Sequence, residues 1–236
     1  VKVTKTSEDG LVSGVKFRLY GTSVSGATVE LFATTNAGGI AEFKNVLIGT
    51  YTLEEVNTAE RYIVPASQKT IVEWNKVTEK SFYNELKRGD IKVIKTSEDN
   101  VLIGHRFRLY GTSLSGEMVD LYAETNANGI AEFNDILIGS SYIIEEVDTK
   151  EWYIIPDAQN TVVEWNTVTN VRFTNTLKRG DLTVTKTCED GLVEGHKFHL
   201  YGTSLSRLPV DMYATTDENG VAYFEDVLIG TGYTLE

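Results

Sequence analysis

The chain has 236 residues, 41% hydrophobic and 24% charged, and carries a formal net charge of −12. That is enough apolar material to build packed cores and excludes a disordered chain. The acidic balance argues against nucleic acid or an anionic membrane surface as a partner, since both select basic patches. No run approaches the roughly 18 apolar residues that span a bilayer, so no membrane insertion is expected within these residues. No charged-then-apolar leader precedes Val1, and an opening inside a strand reads as an excised fragment whose signal or anchor lies elsewhere. Twelve Tyr, nine Phe, three Trp and only three Pro favour strands over helices. The one cysteine, Cys188, stands where the other repeats have Ser7 and Ser97. A disulfide within the chain is therefore excluded, and without a neighbouring His or Cys the residue reads as a replaceable turn position.

The opening strand, Val1 to Lys5, returns as Ile91 to Lys95 and as Leu182 to Lys186. Leu19-Tyr20-Gly21-Thr22-Ser23 and Gly39-Ile40-Ala41-Glu42-Phe43 recur at matching offsets, which gives a period of 90 and then 91 residues. The extra residue falls in a tight turn, where Gly49-Thr50-Tyr51 becomes Gly139-Ser140-Ser141-Tyr142. A period of this length suits a small autonomous domain. We therefore expect modules at 1–88 and 89–179, and a third, truncated module at 180–236 that stops inside the strand corresponding to Tyr142–Glu146.

Within a repeat about seven short strands are expected. After the opening strand and the turn Ser7-Glu8-Asp9-Gly10, Val15, Phe17 and Leu19 alternate with polar neighbours. Val29–Ala33 follows, then the turn Asn36-Ala37-Gly38-Gly39, which supplies the positive φ a hairpin demands. Ile40–Phe43, Tyr51–Glu55, a strand near Tyr62–Val64 ended by Pro65, Thr70–Trp74 and Lys80–Leu86 complete the module. No segment has a sustained helical period. The expected fold is all-β: tandem antiparallel β-sandwich modules, Ig-like or prealbumin-like. The linkers Leu86–Asp90 and Leu177–Asp181 are so short that the modules should form a rod with limited bending.

Strand alternation also picks out unusual polar residues. Val1, Val3 and Lys5 share a face, so a lysine points into the core. The same phase applies to Lys95 and Lys186. In the fifth strand Tyr51 and Leu53 set the inward face, which places Glu55 inside and Glu54 outside; Tyr142, Ile144 and Glu146 repeat this. In the last strand Phe82, Asn84 and Leu86 share a face, as do Phe173, Asn175 and Leu177. Each complete module thus aims one Lys, one Glu and one Asn at its own core. A lone lysine in this phase snorkels at a sheet edge, and a buried Lys with a Glu forms an ion pair. Recurrence of all three in phase favours a further reading, because such an ion pair is at best weakly stabilising and leaves the Asn amide without partners.

The chemistry that fits is attack of the lysine amine on the asparagine side-chain carbonyl, which forms an isopeptide bond and releases ammonia. An apolar site favours the neutral, nucleophilic amine. A protonated Glu55 or Glu146 polarises the carbonyl and shuttles protons. Folding supplies the proximity. The expected cross-links are Lys5 to Asn84 and Lys95 to Asn175. Lys186 remains unpaired, since its Glu and Asn counterparts would lie beyond residue 236. The reaction occurs once per module, so the protein is not expected to be an enzyme.

At these residues the sequence resembles the Cna B-type domains of Gram-positive surface adhesins and pilins. Their pattern is a Lys on the first strand, an Asn near the end of the last, and a catalytic Glu in Y-x-L-x-E-T-x-A-P-x-G-Y. Here that motif runs from Tyr51 through Glu55 to Tyr62, and from Tyr142 through Glu146 to Tyr153; its T, A-P and G positions are absent. The resemblance implies a prealbumin-like sandwich and an exported, cell-wall-attached stalk. Its partners would be neighbouring surface-protein modules or a host extracellular protein or glycan. The alternative function is a ligand-binding adhesin module, contacting such a partner through loops such as Gly21–Thr28 or Thr58–Arg61. These loops differ only modestly between repeats, which favours a spacer.

Other motifs carry less. Gln68 and Gln159 recur, but the Thr4 needed for an ester cross-link becomes Ile94. Asn75 and Asn166 follow Trp and read as turn residues. His105, His196 and His199 stand where the first repeat has Val15 or Arg18, so no metal site or other cofactor is expected. Asp217-Glu218-Asn219-Gly220 reads as a hairpin turn before a calcium loop. Leu208-Pro209-Val210-Asp211 only superficially resembles the start of a sorting signal.

Overall fold

The computed structural model describes residues 1–236 and contains strands only. The first module is built from β1 (Lys2–Ser7), β2 (Lys16–Ser23), β3 (Thr28–Thr34), β4 (Ile40–Glu42), β5 (Gly49–Val56), β6 (Gln68–Val72) and β7 (Glu79–Asn84). They form two sheets, ordered β4-β1-β7 and β3-β2-β5-β6. The inward residues of both faces, Val3, Phe17, Leu19, Ala41, Tyr51, Leu53 and Phe82 among them, make one buried core. The alternation that builds it is plain in β5, whose Tyr51, Leu53 and Glu55 are buried while Thr52, Glu54 and Val56 are only partly so.

The second module repeats the plan. Its strands are β8 (Arg88–Ser97), β9 (Arg106–Thr112), β10 (Met118–Glu124), β11 (Ile130–Leu137), β12 (Gly139–Val147), β13 (Tyr153–Ile154), β14 (Gln159–Val163) and β15 (Val168–Leu177). The sheets are β11-β8-β15-β13 and β10-β9-β12-β14. The third region carries β16 (Arg179–Thr185), β17 (Lys197–Thr203), β18 (Pro209–Thr215), β19 (Val221–Leu228) and β20 (Thr234–Leu235), arranged as β16-β19 and β18-β17-β20.

Most pairs are antiparallel, but β1 and β7 run parallel, as do β8 and β15. The first and last strands of each complete module are therefore direct neighbours in one sheet. Two expected strands differ. The strand expected at Thr70–Trp74 lies at Gln68–Val72, and Trp74 is exposed in a turn whose Asn75 takes a positive φ of 53°. The strand near Tyr62–Val64 shrinks to one bridge, Tyr62 to Leu86, since Pro65 cannot donate to a ladder.

The junctions are tighter than linkers. β8 begins two residues after Leu86, and Tyr62, Leu86 and Leu137 form a buried cluster across the first junction. The Ile138 N–H donates to the Lys87 carbonyl at 3.1 Å, and Arg88 reaches both Glu8 and Asp135. At the second junction the Ile229 N–H donates to the Lys178 carbonyl and Arg179 pairs with Glu98.

Candidate functional site

Lys5 and Lys95 sit on the inner faces of β1 and β8, each only 1% exposed. Their backbone is pinned by the hairpin before β4 or β11. Gly39 and Gly129 accept the lysine N–H at 2.8 Å, and both glycines have φ +73°. A Cβ at either position would lie 2.5 Å from the lysine carbonyl oxygen, so only glycine permits this approach. Each amine donates to the carbonyl of the next residue, Thr6 or Thr96. Burial pushes both amines below the ordinary lysine value, and the carboxylates of Glu55 and Asp9, or Glu146 and Asp99, offset this only in part.

Parallel pairing decides where the asparagine falls. Lys5 lies opposite Phe82, and Asn84 is two residues further along the same face of β7; Lys95, Phe173 and Asn175 repeat this register. Such a diagonal neighbour is within reach of a long side chain. The glutamate comes from the opposite sheet, where Glu55 pairs with Phe17 and Glu146 with Phe107. Asn84 Nδ2 donates to Glu55 Oε1 at 2.8 Å, and Asn175 Nδ2 donates to Glu146 Oε1 at the same distance. Lys95 Nζ is 3.8 Å from Glu146 Oε2. Both triads named from strand phase are thus each assembled in one buried place.

Four buried oxygens there have no hydrogen-bond partner: Glu55 Oε2, Asn84 Oδ1, Glu146 Oε2 and Asn175 Oδ1. Leaving such an acceptor unpaired costs about 1–3 kcal/mol. The same two triad positions are left unpaired in both modules, so the orphaned oxygens belong to the site.

The tyrosines of the glutamate motif frame it. Tyr51 and Tyr142 donate to the Leu47 and Leu137 carbonyls, both at 2.8 Å, and burial pushes the Tyr142 hydroxyl up to about 12. Tyr62 donates to Asp9 at 2.7 Å, as Tyr153 does to Asp99 at 2.6 Å. Burial pushes the Asp9 carboxyl up, but hydrogen bonds from Tyr62, the Leu11 N–H, Ser7 and Arg61 outweigh it and hold it at about 2. The closing tyrosine therefore ties its loop to the turn after the lysine strand. The sequence pattern marks Asp9 and Asp99 only as turn residues; their recurrence alongside a recurrent tyrosine is the signal that points to more.

His105, which recurs as His196 but is not among the residues shared by both complete modules, is a further member of the second site. It precedes Phe107 and Leu109 in the same inward phase, and its imidazole is buried against the second triad, with Nδ1 2.9 Å from Glu146 Oε1. The first module has Val15 there. The His196 imidazole bonds only locally, to the Leu192 carbonyl, and His199 pairs with Asp211 and stacks on Tyr213. Lys186 is half-buried and donates to the Thr187 carbonyl. Asn75 and Asn166 occupy positive-φ turns, and Cys188 is exposed.

The SpaA prealbumin-like fold domain model matches the chain twice, over residues 1–86 and 89–177. The chain belongs to this family. Each matched SpaA-type unit contains one complete Lys, Glu and Asn triad, and Lys186 lies outside both. Among solved structures, the Bacillus anthracis TIE protein is similar over the whole chain, with 21% identity and a TM-score of 0.74. The chain spans 44% of that protein's length. The major pilin subunit BcpA of Bacillus cereus is 16% identical over the whole chain and 86% of its own, with a TM-score of 0.47. A C-terminal fragment of the pilus adhesin SpaC from Lactobacillus rhamnosus GG is 12% identical over 75% of the chain and 96% of its own, with a TM-score of 0.48. A comparison with curated protein sequences returns no match.

Proposed function

We propose that the chain is a stalk or spacer segment of a Gram-positive cell-surface adhesin or pilus subunit, and that each complete SpaA-type module closes itself with a Lys–Asn isopeptide bond. The observation that carries this is the buried triad with its unpaired amide oxygen, present in both modules. A protonated Glu55 satisfies that oxygen by donating its O–H, which polarises the amide carbon toward Lys5 Nζ. The neutral amine attacks the Asn84 side-chain carbonyl carbon. Its surplus proton passes through the carboxyl group to Nδ2, which leaves as ammonia. The second module forms the equivalent Lys95–Asn175 bond around Glu146. A cleft lined by Val15, Glu55, Tyr62 and Asn84 gives the first site a route to solvent for the ammonia.

The bond would staple β1 to β7 near their C-terminal ends. Tension entering before β1 and leaving after β7 would then bypass the intervening chain. The close-coupled junctions support the same use, because they transmit load without a slack linker. An exported, cell-wall-attached setting and partners among neighbouring surface-protein modules follow from this reading, as does single-turnover chemistry without cofactors.

Intact-mass spectrometry of the full chain is the test. The expected mass is the sequence mass less two ammonias, and the full sequence mass overturns the cross-links. Replacing Glu55 with Ala should restore one ammonia. Loss of both from that variant would mean that Glu55 is not the catalyst.

A further inference from the structure

The two triads differ by one imidazole, and proton counting gives that difference a chemical meaning. His105 Nε2 lies 2.9 Å from the Val101 carbonyl oxygen, which can only accept, so Nε2 carries a hydrogen. His105 Nδ1 lies 2.9 Å from Glu146 Oε1. A bare ring nitrogen and a bare carboxylate oxygen repel at that distance, so one proton occupies the contact. Asn175 Nδ2 completes a triangle, 2.8 Å from Oε1 and 3.4 Å from Nδ1. All three residues are buried. The other polar groups facing the imidazole are Lys95, whose Nζ is 3.8 Å from Glu146 Oε2, and Tyr153 with its partner Asp99. Asp148 and Lys150 line the cleft outside.

We propose that His105 is a second acid–base group of the Lys95–Asn175 reaction, holding the proton that goes to the leaving amide nitrogen. This rests on the cross-linking reading above. Lys95 Nζ, neutral, forms a bond to the Asn175 side-chain carbonyl carbon and gives a proton to Glu146 Oε2. The proton shared by His105 Nδ1 and Glu146 Oε1 passes to Asn175 Nδ2 as the bond from that carbon to Nδ2 breaks, and ammonia leaves. The proton on Oε2 then refills the His105–Glu146 contact. One amine and one amide become one isopeptide and one ammonia, with no net gain or loss of protons. In the first module Val15 offers no such group, and Glu55 makes both transfers alone. The second bond therefore forms faster than the first.

The full chain made by cell-free synthesis, quenched at intervals in acid and denaturant, supplies the test. Digestion and mass spectrometry follow the Lys95–Asn175 and Lys5–Asn84 cross-linked peptides separately, so the first module serves as an internal control. H105V installs the residue with which the first module folds. H105Q keeps a donor for the Val101 carbonyl and has no proton to transfer. Both should slow the second bond by about tenfold or more, less than the roughly 100-fold low end of general acid–base effects because Glu146 remains to move protons, and leave the first unchanged. A second bond that forms at the wild-type rate in H105Q reduces His105 to a packing role and overturns the proposal. If hydrogen exchange finds H105V unfolded in the second module, H105Q decides alone. Absence of both bonds from the wild-type chain is the distinct result that removes the cross-linking reading, and the proposal with it.

Discussion

Lys5, Lys95 and Lys186 occupy equivalent strand positions, and each donates to the carbonyl of its successor. Each also has the hairpin glycine, Gly39, Gly129 or Gly220, against its own carbonyl. Yet Lys5 and Lys95 are 1% exposed, whereas Lys186 is only partly buried and Leu182 beside it is 36% exposed, against 0% for its counterpart Ile91. The opening strand and its hairpin thus give a lysine its direction but not its burial. Burial comes from the parallel closing strand, β7 or β15, and from the glutamate strand across the core. Where both are present, burial holds the amine below its ordinary value.

The largest effect should come from removing the electrophile. In the Asn84→Ala, Asn175→Ala double variant both ammonias should be retained. Each module should lose the loop-closure contribution of a cross-link spanning roughly 80 residues, about 4–5 kcal/mol on the chain-entropy model. Urea unfolding should register this as a lower midpoint for both modules, and an unchanged midpoint would refute it. The same variant keeps two buried amines, which gives a pH signature. Their folded pKa lies below the ordinary 10.5, so the unfolded chain binds more protons in that interval. Stability should therefore rise as the pH climbs through the depressed value, level off above 10.5, and be lost as the pH falls. The wild-type chain, with its amines consumed, should lack this component.

The triads are legible in the sequence because a strand has a two-residue period. Tyr51, Leu53 and Glu55 must share a face whatever they pair with, as must Phe82 and Asn84. Partner identity and direction leave no such trace, so the parallel β1–β7 pair is not specified by the pattern, although it places Asn84 one diagonal step from Lys5. His105 has the same inward phase and recurs as His196, but the first module has Val15 there, so it falls outside the set shared by both complete modules, and as a metal ligand it has no companions. Trp74 and the short bridge at Tyr62 depart from the pattern for local reasons. The first is turned out by the positive φ of Asn75, and the second is curtailed by Pro65.

A sharper form of the comparison supplies the third region with what the others have. Extending the chain after Glu236 with a copy of residues 146–177 gives Lys186 a glutamate strand and a parallel closing strand. Glu145 is the counterpart of Glu236, so the copy begins in register. The extended chain should bury Lys186 and lose a third ammonia, with a gain in stability confined to the third module. A third module that folds with a protected hydrogen-exchange core but keeps its ammonia would show that strand placement alone does not activate the lysine.

The smallest effects are expected at the junctions. Arg88 holds Glu8 of the first module and Asp135 of the second, while Tyr62, Leu86 and Leu137 bury an apolar contact across the same boundary. Exposed ion pairs are worth up to about 1 kcal/mol and weaken with salt. Apolar contacts do not weaken with salt, and Leu137 is only 9% exposed. Arg88→Ala should therefore move the unfolding midpoint by less than about 1 kcal/mol and leave the distribution of inter-module distances in small-angle scattering nearly unchanged. Leu137→Ala should broaden that distribution, because it removes the only apolar cluster spanning the joint. If Arg88→Ala broadens it as much, and added salt does the same to the wild-type chain, then charge and not packing stiffens the joint. The stalk would in that case bend more in brine than in dilute buffer.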